Sequence, residues 1–251
     1  MPQTPLLQIL KKISSLCSSD RGNRPRMDQN SYQRRKWLTF EPSRPRCNEC
    51  RRPRVTCYCE SLKPFHSYPQ FVFLMHPEET RKKIATGRMS HRMISNSFLF
   101  EGIDFTNHTG VNRLLQDPRF EPALLYAGPS SVDISQRSLP SSPEITPLII
   151  VLDGTWSWAK SMYKRSKNLQ RLPTFRFTPK TKSQFLVRKQ PADYCYSTIE
   201  AVHYVISHFG AQSCRNEHDR LLSVFRGMVN KQLSFEHHGR TASRKKEPHL
   251  S

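Results

Sequence analysis

The sequence predicts an α/β fold, built on a mostly parallel sheet that is flanked by helices. The central observation is residues 148–152, five consecutive apolar residues, three of them β-branched, as expected of a buried strand. Asp153-Gly154 then breaks the strand, and residues 155–163 have the apolar spacing of a helix. Three further strand candidates alternate with helical segments, at 71–75, 123–127 and 174–178. Strands separated by helices favour a parallel sheet, whose ligands bind beyond the carboxyl ends of the strands.

The length of 251 residues suits one α/β domain, or one such domain with a small appendage. An apolar fraction of 36% is low for a domain of this size, and 19 prolines are many. Part of the chain is therefore expected to form loops or irregular flanks. The apolar runs are too short to cross a bilayer, so we expect no membrane partner.

Composition divides the chain into four predicted regions. Residues 1–45 are expected to form a disordered or weakly helical basic segment, and residues 1–20 also resemble an organelle transit peptide. The other regions are a cysteine-bearing element at 46–66, the α/β domain at 67–230 and a basic flexible tail at 231–251. We expect a cytoplasmic protein, with organelle or nuclear targeting by the basic segment as the alternative.

Charge is the strongest bulk signal of the sequence. Forty Lys and Arg residues against twenty Asp and Glu residues give a net charge of +20, which indicates a polyanionic partner, most simply nucleic acid. Residues 154–192 contain ten basic residues, no acidic residue and several interleaved aromatic residues. Basic groups follow a phosphate backbone and aromatic rings stack on unpaired bases. The alternative is a solvated basic surface whose aromatic residues face the core.

Four cysteines cluster in a short stretch of the chain: Cys47, Cys50, Cys57 and Cys59. Four thiolates at this spacing can close a tetrahedral zinc site, although the Cys-x-Cys pair is less common than Cys-x-x-Cys. Arg51 and Arg52 lie between the pairs, where a metal-fixed loop would present them to phosphates. The alternative is four reduced cysteines at the surface.

Two polar groups outside the central strand are candidates for a site. His76 follows the strand candidate 71–75, where a ligand could reach it, although a lone histidine is more often structural. Ser197 and Glu200 have the spacing of a capping box at the start of a helix. That box accounts for Glu200 without any catalytic role.

The segment Leu152-Asp153-Gly154-Thr155-Trp156, followed by Ala159-Lys160, resembles the Asp-x-Thr-Trp signature of DTW-domain proteins, the tRNA-uridine aminocarboxypropyltransferases. Other blocks of this family occur in order between about residues 46 and 210. They are the cysteine cluster, His76-Pro77-x-Glu79 with Thr86-Gly87-Arg88, Arg188-Lys189-Gln190-Pro191, and Ser197-Thr198-Ile199-Glu200-Ala201.

The resemblance implies a SPOUT-like knotted sheet around S-adenosylmethionine, with the cysteine element as a small four-cysteine zinc-binding unit and 67–230 as the catalytic domain. It also implies an enzyme that transfers the 3-amino-3-carboxypropyl group of S-adenosylmethionine to N3 of a uridine in tRNA, so that methylthioadenosine leaves. Zinc is then structural. The residues expected to contact S-adenosylmethionine are Asp153, Thr155, Trp156, Ser197, Thr198 and His76.

The reaction needs a base, because N3 of uridine is protonated at neutral pH and each pKa unit costs about 1.4 kcal/mol to overcome. Asp153 is the first candidate and Glu200 the second; the alternative for Asp153 is a cap on the following helix. Trp156 is expected to stack on adenine or on the target base, or to fill the core. The residues expected to contact RNA are Lys160, Lys164, Arg165, Arg188, Lys189, Arg51 and Arg52.

Three other functions remain open on the sequence. They are an RNA methyltransferase of the same fold class, a non-catalytic zinc-dependent RNA-binding protein, and aminocarboxypropylation of ribosomal RNA. The sequence determines neither the tRNA and its uridine position nor the oligomeric state.

Overall fold

The computed structural model describes residues 45–82, 84–136, 144–179, 181–187, 195–210 and 216–244, with side chains up to residue 235. The predictions for residues 1–44, for Arg188 and Lys189, and for residues 245–251 lie outside this part of the chain. The described residues from Arg46 onward belong to one structural unit.

A six-stranded sheet forms the centre of this unit, with the strand order β2-β1-β5-β3-β6-β4. The strands are β1 (Gln70–Met75), β2 (Phe98–Glu101), β3 (Phe120–Leu125), β4 (Val132–Asp133), β5 (Thr146–Asp153) and β6 (Thr174–Arg176). Every strand pair in the sheet is parallel, which confirms the predicted α/β class.

Six α-helices accompany the sheet within the described residues. They are α1 (Pro77–Thr80), α2 (Thr86–Met93), α3 (Thr109–Gln116), α4 (Trp156–Arg165), α5 (Thr198–Phe209) and α6 (Asp219–Arg244). Short 3-10 turns lie at Arg54–Thr56, Cys59–Ser61, Ile134–Gln136 and Leu169–Arg171. In the part of the chain that the structure describes, no helix is both long and apolar enough to cross a bilayer.

Side chains of β5 divide between two apolar layers, because successive residues of a strand point to opposite faces. Ile149 and Val151 pack in the layer that α2, α5 and α6 cover. Leu148 and Ile150 pack in the layer that α3 and α4 cover. The central strand is therefore buried on both faces, as its continuous apolar run predicts.

The carboxyl ends of β1 and β5 meet at one edge of the sheet. Met75 pairs with Asp153 in the parallel register, and the backbone amide of His76 donates to the Asp153 carbonyl at 2.9 Å. The two polar residues that follow these strands are therefore neighbours. The candidate site lies at this edge.

Several boundaries differ from the sequence prediction. Strand β3 begins before residue 123, and β6 ends at Arg176, two residues earlier than expected. Residues 231–244, assigned from composition to the flexible tail, belong to helix α6. This helix is held to the core by a buried apolar face that includes Leu221, Phe225 and Met228.

Candidate functional site

The Asp153 carboxylate is buried at the end of β5, with only 2% of the residue exposed. Its Oδ1 accepts a hydrogen bond of 2.5 Å from the hydroxyl of Thr198, the first residue of α5. The carboxylate therefore lies at the N-terminus of a helix that follows it by more than forty residues. The positive end of the helix dipole favours a negative charge there.

A second helix N-terminus contacts the same carboxylate. Gly87 is the second residue of α2, and a Cβ atom built on it would lie 2.5 Å from Oδ2 and 2.9 Å from Oδ1 of Asp153. Only a glycine lets the first turn of α2 approach so closely. The carboxylate is thus enclosed between the first turns of α2 and α5.

The alternative that Asp153 caps the following helix is wrong. The N-cap of α4 is Thr155, whose hydroxyl accepts from the Trp158 amide at 3.4 Å. Because Thr155 takes this role, the Asp153 side chain is directed to α5 instead.

Glu200 forms the predicted capping box with Ser197, which is confirmed. Its Oε2 accepts from the amide of Ser197 at 2.8 Å, from the Ser197 hydroxyl at 2.6 Å and from the Ser183 hydroxyl at 2.8 Å. Its Oε1 accepts from the amide of Gln184 at 2.7 Å. This buried carboxylate therefore fixes the loop around Ser183 to the start of α5.

His76 has the structural contacts that are usual for a lone histidine. Its Nδ1 accepts from the Glu78 amide at 3.2 Å and so caps α1. Its ring is parallel to the indole of Trp158, with centroids 4.6 Å apart, and Lys82 Nζ lies 4.6 Å from that indole's centroid. Burial lowers the pKa of His76, which favours the neutral ring that accepts this hydrogen bond.

Trp156 does not fill the core, so that alternative is also wrong. It is 42% exposed at the first position of α4, whereas Ala159 and Met162 of the same helix are buried. Lys160 and Lys164 are exposed and follow Trp156 at intervals of four residues, which places all three on one face. We call Trp156, Lys160 and Lys164, with the adjoining exposed Arg165, the outer face of α4.

The two arginines predicted to reach phosphates differ in exposure. Arg51 is exposed, with a φ of 59° in the turn between the cysteine pairs. Arg52 is only 1% exposed, and its guanidinium donates to Thr56 Oγ1 at 3.4 Å and to Gln232 Oε1 of α6 at 3.1 Å. The prediction that Arg52 contacts RNA is therefore wrong, because its side chain packs inward against α6.

The four clustered cysteines bring their sulfur atoms within 4.8 Å of one another. The Cys47–Cys59 and Cys50–Cys57 pairs are each 3.7 Å apart. A tetrahedral site with Zn–S bonds of about 2.3 Å has S···S edges of about 3.8 Å, so the cluster fits zinc. The backbone amides of Cys50 and Glu49 lower the pKa of Cys47 to about 6, whereas burial raises the pKa of Cys50 and raises that of Cys59 to about 12. A bound cation would favour the thiolate form of all four.

Two arginines surround this cluster. Arg92 of α2 donates to Cys59 Sγ at 2.9 Å and pairs with Glu49 at 3.3 Å. The buried Arg52 interacts electrostatically with Cys50 and Cys57. Four thiolates around a divalent ion carry a net charge of −2, which two guanidinium groups balance. Sequence analysis missed Arg92, because no local pattern connects it with the cysteines.

Comparison with known proteins agrees with this architecture. The family model described as DTW domain matches residues 44–233. A protein of Drosophila melanogaster named tRNA-uridine aminocarboxypropyltransferase 2 is 30% identical over 62% of this chain and 63% of its own length. A protein of the same name from Macaca fascicularis is 26% identical over 72% of this chain and 62% of its own length.

An Arabidopsis thaliana protein named tRNA-uridine aminocarboxypropyltransferase A is 26% identical over 87% of this chain and 89% of its own length. The chain thus matches less than two thirds of the Drosophila and Macaca proteins and most of the Arabidopsis one. No solved structure gives a significant match.

Proposed function

Because the chain belongs to the DTW domain family, we propose that it transfers the 3-amino-3-carboxypropyl group of S-adenosylmethionine to N3 of a uridine in tRNA. The product is the aminocarboxypropylated uridine, and methylthioadenosine is released. The observation that carries the proposal is the Asp153 carboxylate, which is enclosed by α2 and α5 and lies three residues before the exposed Trp156 in the chain. The names of the relatives support the same reaction.

The proposed chemistry is a displacement at the γ-carbon of the methionine part. The bond from uridine N3 to this carbon forms while the carbon–sulfur bond breaks, and its electron pair leaves on sulfur as a neutral thioether. The N3 proton passes to a carboxylate. Transfer of this group rather than the methyl requires that the γ-carbon lie in line with N3.

We assign the base to Asp153. Glu200 is the weaker candidate, because its two oxygens already accept hydrogen bonds from Ser183, Gln184 and Ser197. A positioned base contributes about 10²- to 10⁴-fold to a rate. The hydroxyl of Thr198 orients the Asp153 carboxylate.

Binding of S-adenosylmethionine is proposed at the same edge of the sheet, with Thr155, Trp156, Ser197, Thr198 and His76 around it. Of these, Thr198 contacts Asp153 directly and His76 contacts its backbone. An anionic carboxylate beside a cationic sulfonium is favourable, which supports this placement. The knotted SPOUT-like path of the chain is part of the same proposal.

The outer face of α4 is proposed to bind the tRNA. Trp156 supplies a ring for stacking on an unpaired base, and Lys160, Lys164 and Arg165 supply charges for phosphates. Arg51 adds a second exposed contact near the cysteine cluster. Zinc in that cluster is proposed to be structural, since a complete set of four thiolates leaves no open position for chemistry.

The test is a reaction of the purified protein with unmodified tRNA and S-adenosylmethionine labelled in the aminocarboxypropyl group, followed by nucleoside mass spectrometry. We expect label in uridine together with methylthioadenosine. Asp153→Asn is expected to lower the rate by about 100-fold or more. The matched control is Asp104→Asn, an exposed aspartate whose nearest partner is Thr106, and it should keep the wild-type rate.

Each of the other possible outcomes would indicate a different function for this chain. Methylated RNA with S-adenosylhomocysteine would make the chain a methyltransferase. Label in ribosomal RNA but not in tRNA would identify ribosomal RNA as the substrate. Bound tRNA without any transfer would leave a zinc-dependent RNA-binding protein.

A further inference from the structure

A second group of metal-ligating side chains lies between α5 and α6, apart from the cysteine cluster. It consists of His203 on α5, His218 just before α6, and Asp219 at the first position of α6. One ligating atom of each residue lies within 4.8 Å of the others. We propose that these three residues bind a divalent transition metal, most simply Zn²⁺.

The distances suit such an ion. His203 Nε2 is 2.9 Å and His218 Nε2 is 3.9 Å from the same oxygen, Oδ1 of Asp219. A tetrahedral zinc site with bonds of about 2.0–2.1 Å separates its ligands by about 3.3 Å. The observed values lie on either side of this separation, and the ligand atoms of the two histidines lie within 4.8 Å of each other.

The chemistry of the set also suits zinc. Two imidazoles and one carboxylate form a three-ligand site that leaves the fourth position for water. The His218 side chain is 4% exposed, that of His203 is 19% exposed and that of Asp219 is 66% exposed. The group is therefore buried on one side and open to solvent on the other, which gives an ion a route of entry.

His218 is the most buried of the three residues. Its Nε2 lies 3.1 Å from Ser207 Oγ, whereas its buried Nδ1 has no hydrogen-bond partner within the described residues. The contact with Ser207 Oγ and the proximity of Asp219 Oδ1 place Nε2, rather than Nδ1, at the proposed ion.

A metal at this position would link α5, which contacts Asp153, to α6, which contacts the cysteine element. The first turn of α5 carries Thr198, which holds Asp153. Helix α6 contacts the cysteine element through Gln232, which accepts from Arg52. The proposed metal would fix α6 to α5 without sharing any ligand with the four cysteines.

The test measures zinc bound to the purified full chain, prepared without a histidine tag, loaded with Zn²⁺ and freed of excess metal. We expect two zinc ions per chain in the wild type. Asp219→Asn and His203→Gln should each reduce this to one. The control His208→Gln changes an exposed histidine of the same helix and should retain two.

Cobalt substitution separates the two sites. Thiolate-to-cobalt absorption from the cysteine cluster should remain in Asp219→Asn, while the weaker bands of a histidine and carboxylate site disappear. One zinc ion in the wild type, or two in Asp219→Asn, would overturn the proposal and leave a hydrogen-bonded His203–Asp219 pair. Asp219 is exposed, so its variant remains informative if His203→Gln fails to fold.

Discussion

The cysteine cluster and the Asp153 carboxylate are two anionic sites that are stabilised in opposite ways. Four thiolates at residues 47–59 would face one another, so their repulsion would have to be offset by a cation. Asp153 is a single charge that meets Gly87 and Thr198 on two separate helices. We expect the first site to depend on a bound metal and the second to depend on packing.

Helix α2 connects the two sites. Its first turn carries Gly87 against the Asp153 carboxylate, and its last turn carries Arg92, which donates to Cys59. A substitution at one site can therefore perturb the other site through α2, which has only eight residues. Four experiments separate the metal-dependent part from the packing-dependent part.

The largest effect is expected when the metal is lost from the cysteine cluster. Binding of structural zinc contributes about 10 kcal/mol or more in zinc-finger peptides, comparable to the stability of a whole domain. Cys50→Ala should release zinc and strongly lower the melting temperature, measured by metal analysis and circular dichroism. Cys195→Ala is the matched control, because this cysteine is similarly buried and lies outside the cluster.

The same two variants can also show that the cysteine cluster does not depend on a metal. If Cys50→Ala and Cys195→Ala retained equal zinc and melted together, the cysteine cluster would be held by packing, as Asp153 is. Treatment of the wild type with a zinc chelator gives an independent measurement, and it should reproduce the effect of Cys50→Ala.

The second effect concerns the close approach of α2 to Asp153. Gly87→Ala would place a methyl group against the carboxylate, and such overpacking costs about 1–3 kcal/mol of unfolding free energy. Transfer activity should fall as well, since the carboxylate must move. Gly227→Ala, in the interior of α6 with nothing within 4 Å of the added carbon, should instead stabilise by about 0.5–1 kcal/mol.

Urea unfolding measures both glycine variants. Opposite signs are expected, because the first substitution adds a clash and the second removes only backbone freedom. A Gly87→Ala protein with wild-type stability and activity would show that the carboxylate tolerates displacement.

The third effect concerns the hydrogen bond from Thr198 to Asp153. A hydrogen bond to a charged group contributes about 1.5–3 kcal/mol, so Thr198→Val should lower the unfolding free energy by up to that amount. Activity should fall with it, because the carboxylate loses its orientation. Thr198→Ser keeps the hydroxyl and should restore most of both properties; equal losses in the two variants would exclude the hydrogen bond as the cause.

The smallest expected effect is a pH dependence of stability that comes from His76, next to Asp153. Burial lowers the pKa of His76 below its unfolded value of about 6.5, so the unfolded chain binds more protons as the pH falls. The stability contribution of this residue is therefore complete above about pH 6.5 and declines below it. His76→Asn keeps a capping side chain, and its melting temperature should fall less between about pH 7 and pH 5.5 than in the wild type.

The wild-type and His76→Asn curves, measured in the same buffers, decide this point. Parallel curves would show that the acid sensitivity comes from other groups.

Features that depend on neighbouring residues were predictable from sequence. The buried strand β5 follows from its apolar run, and the capping box of Ser197 and Glu200 follows from a spacing of three residues. The cysteine cluster follows from the same kind of local spacing. The capping groups and the cysteines are close in the chain, and the strand is indicated by its own apolar run, so none of these predictions needs knowledge of the fold.

Other properties depended on contacts that no local pattern reveals. Arg51 and Arg52 are adjacent and chemically identical, but one is exposed and the other packs against α6. Trp156 begins an amphipathic helix and still faces solvent. Burial of a particular side chain depends on which distant element covers it, and helix α6 joins the element around Arg52 from the far end of the chain.

The sequence alone therefore determined the α/β class, the central strand, the capping box of α5 and the cysteine cluster, because each rests on periodicity or short-range spacing. Only the tertiary structure decided that Asp153 meets Gly87 and Thr198, and that Arg92 contacts Cys59. These partners are far apart in the chain. Parallel pairing of β1 with β5 and the packing of α2 and α5 bring them together, and the free energy of those contacts comes from burying whole elements rather than from any single residue type.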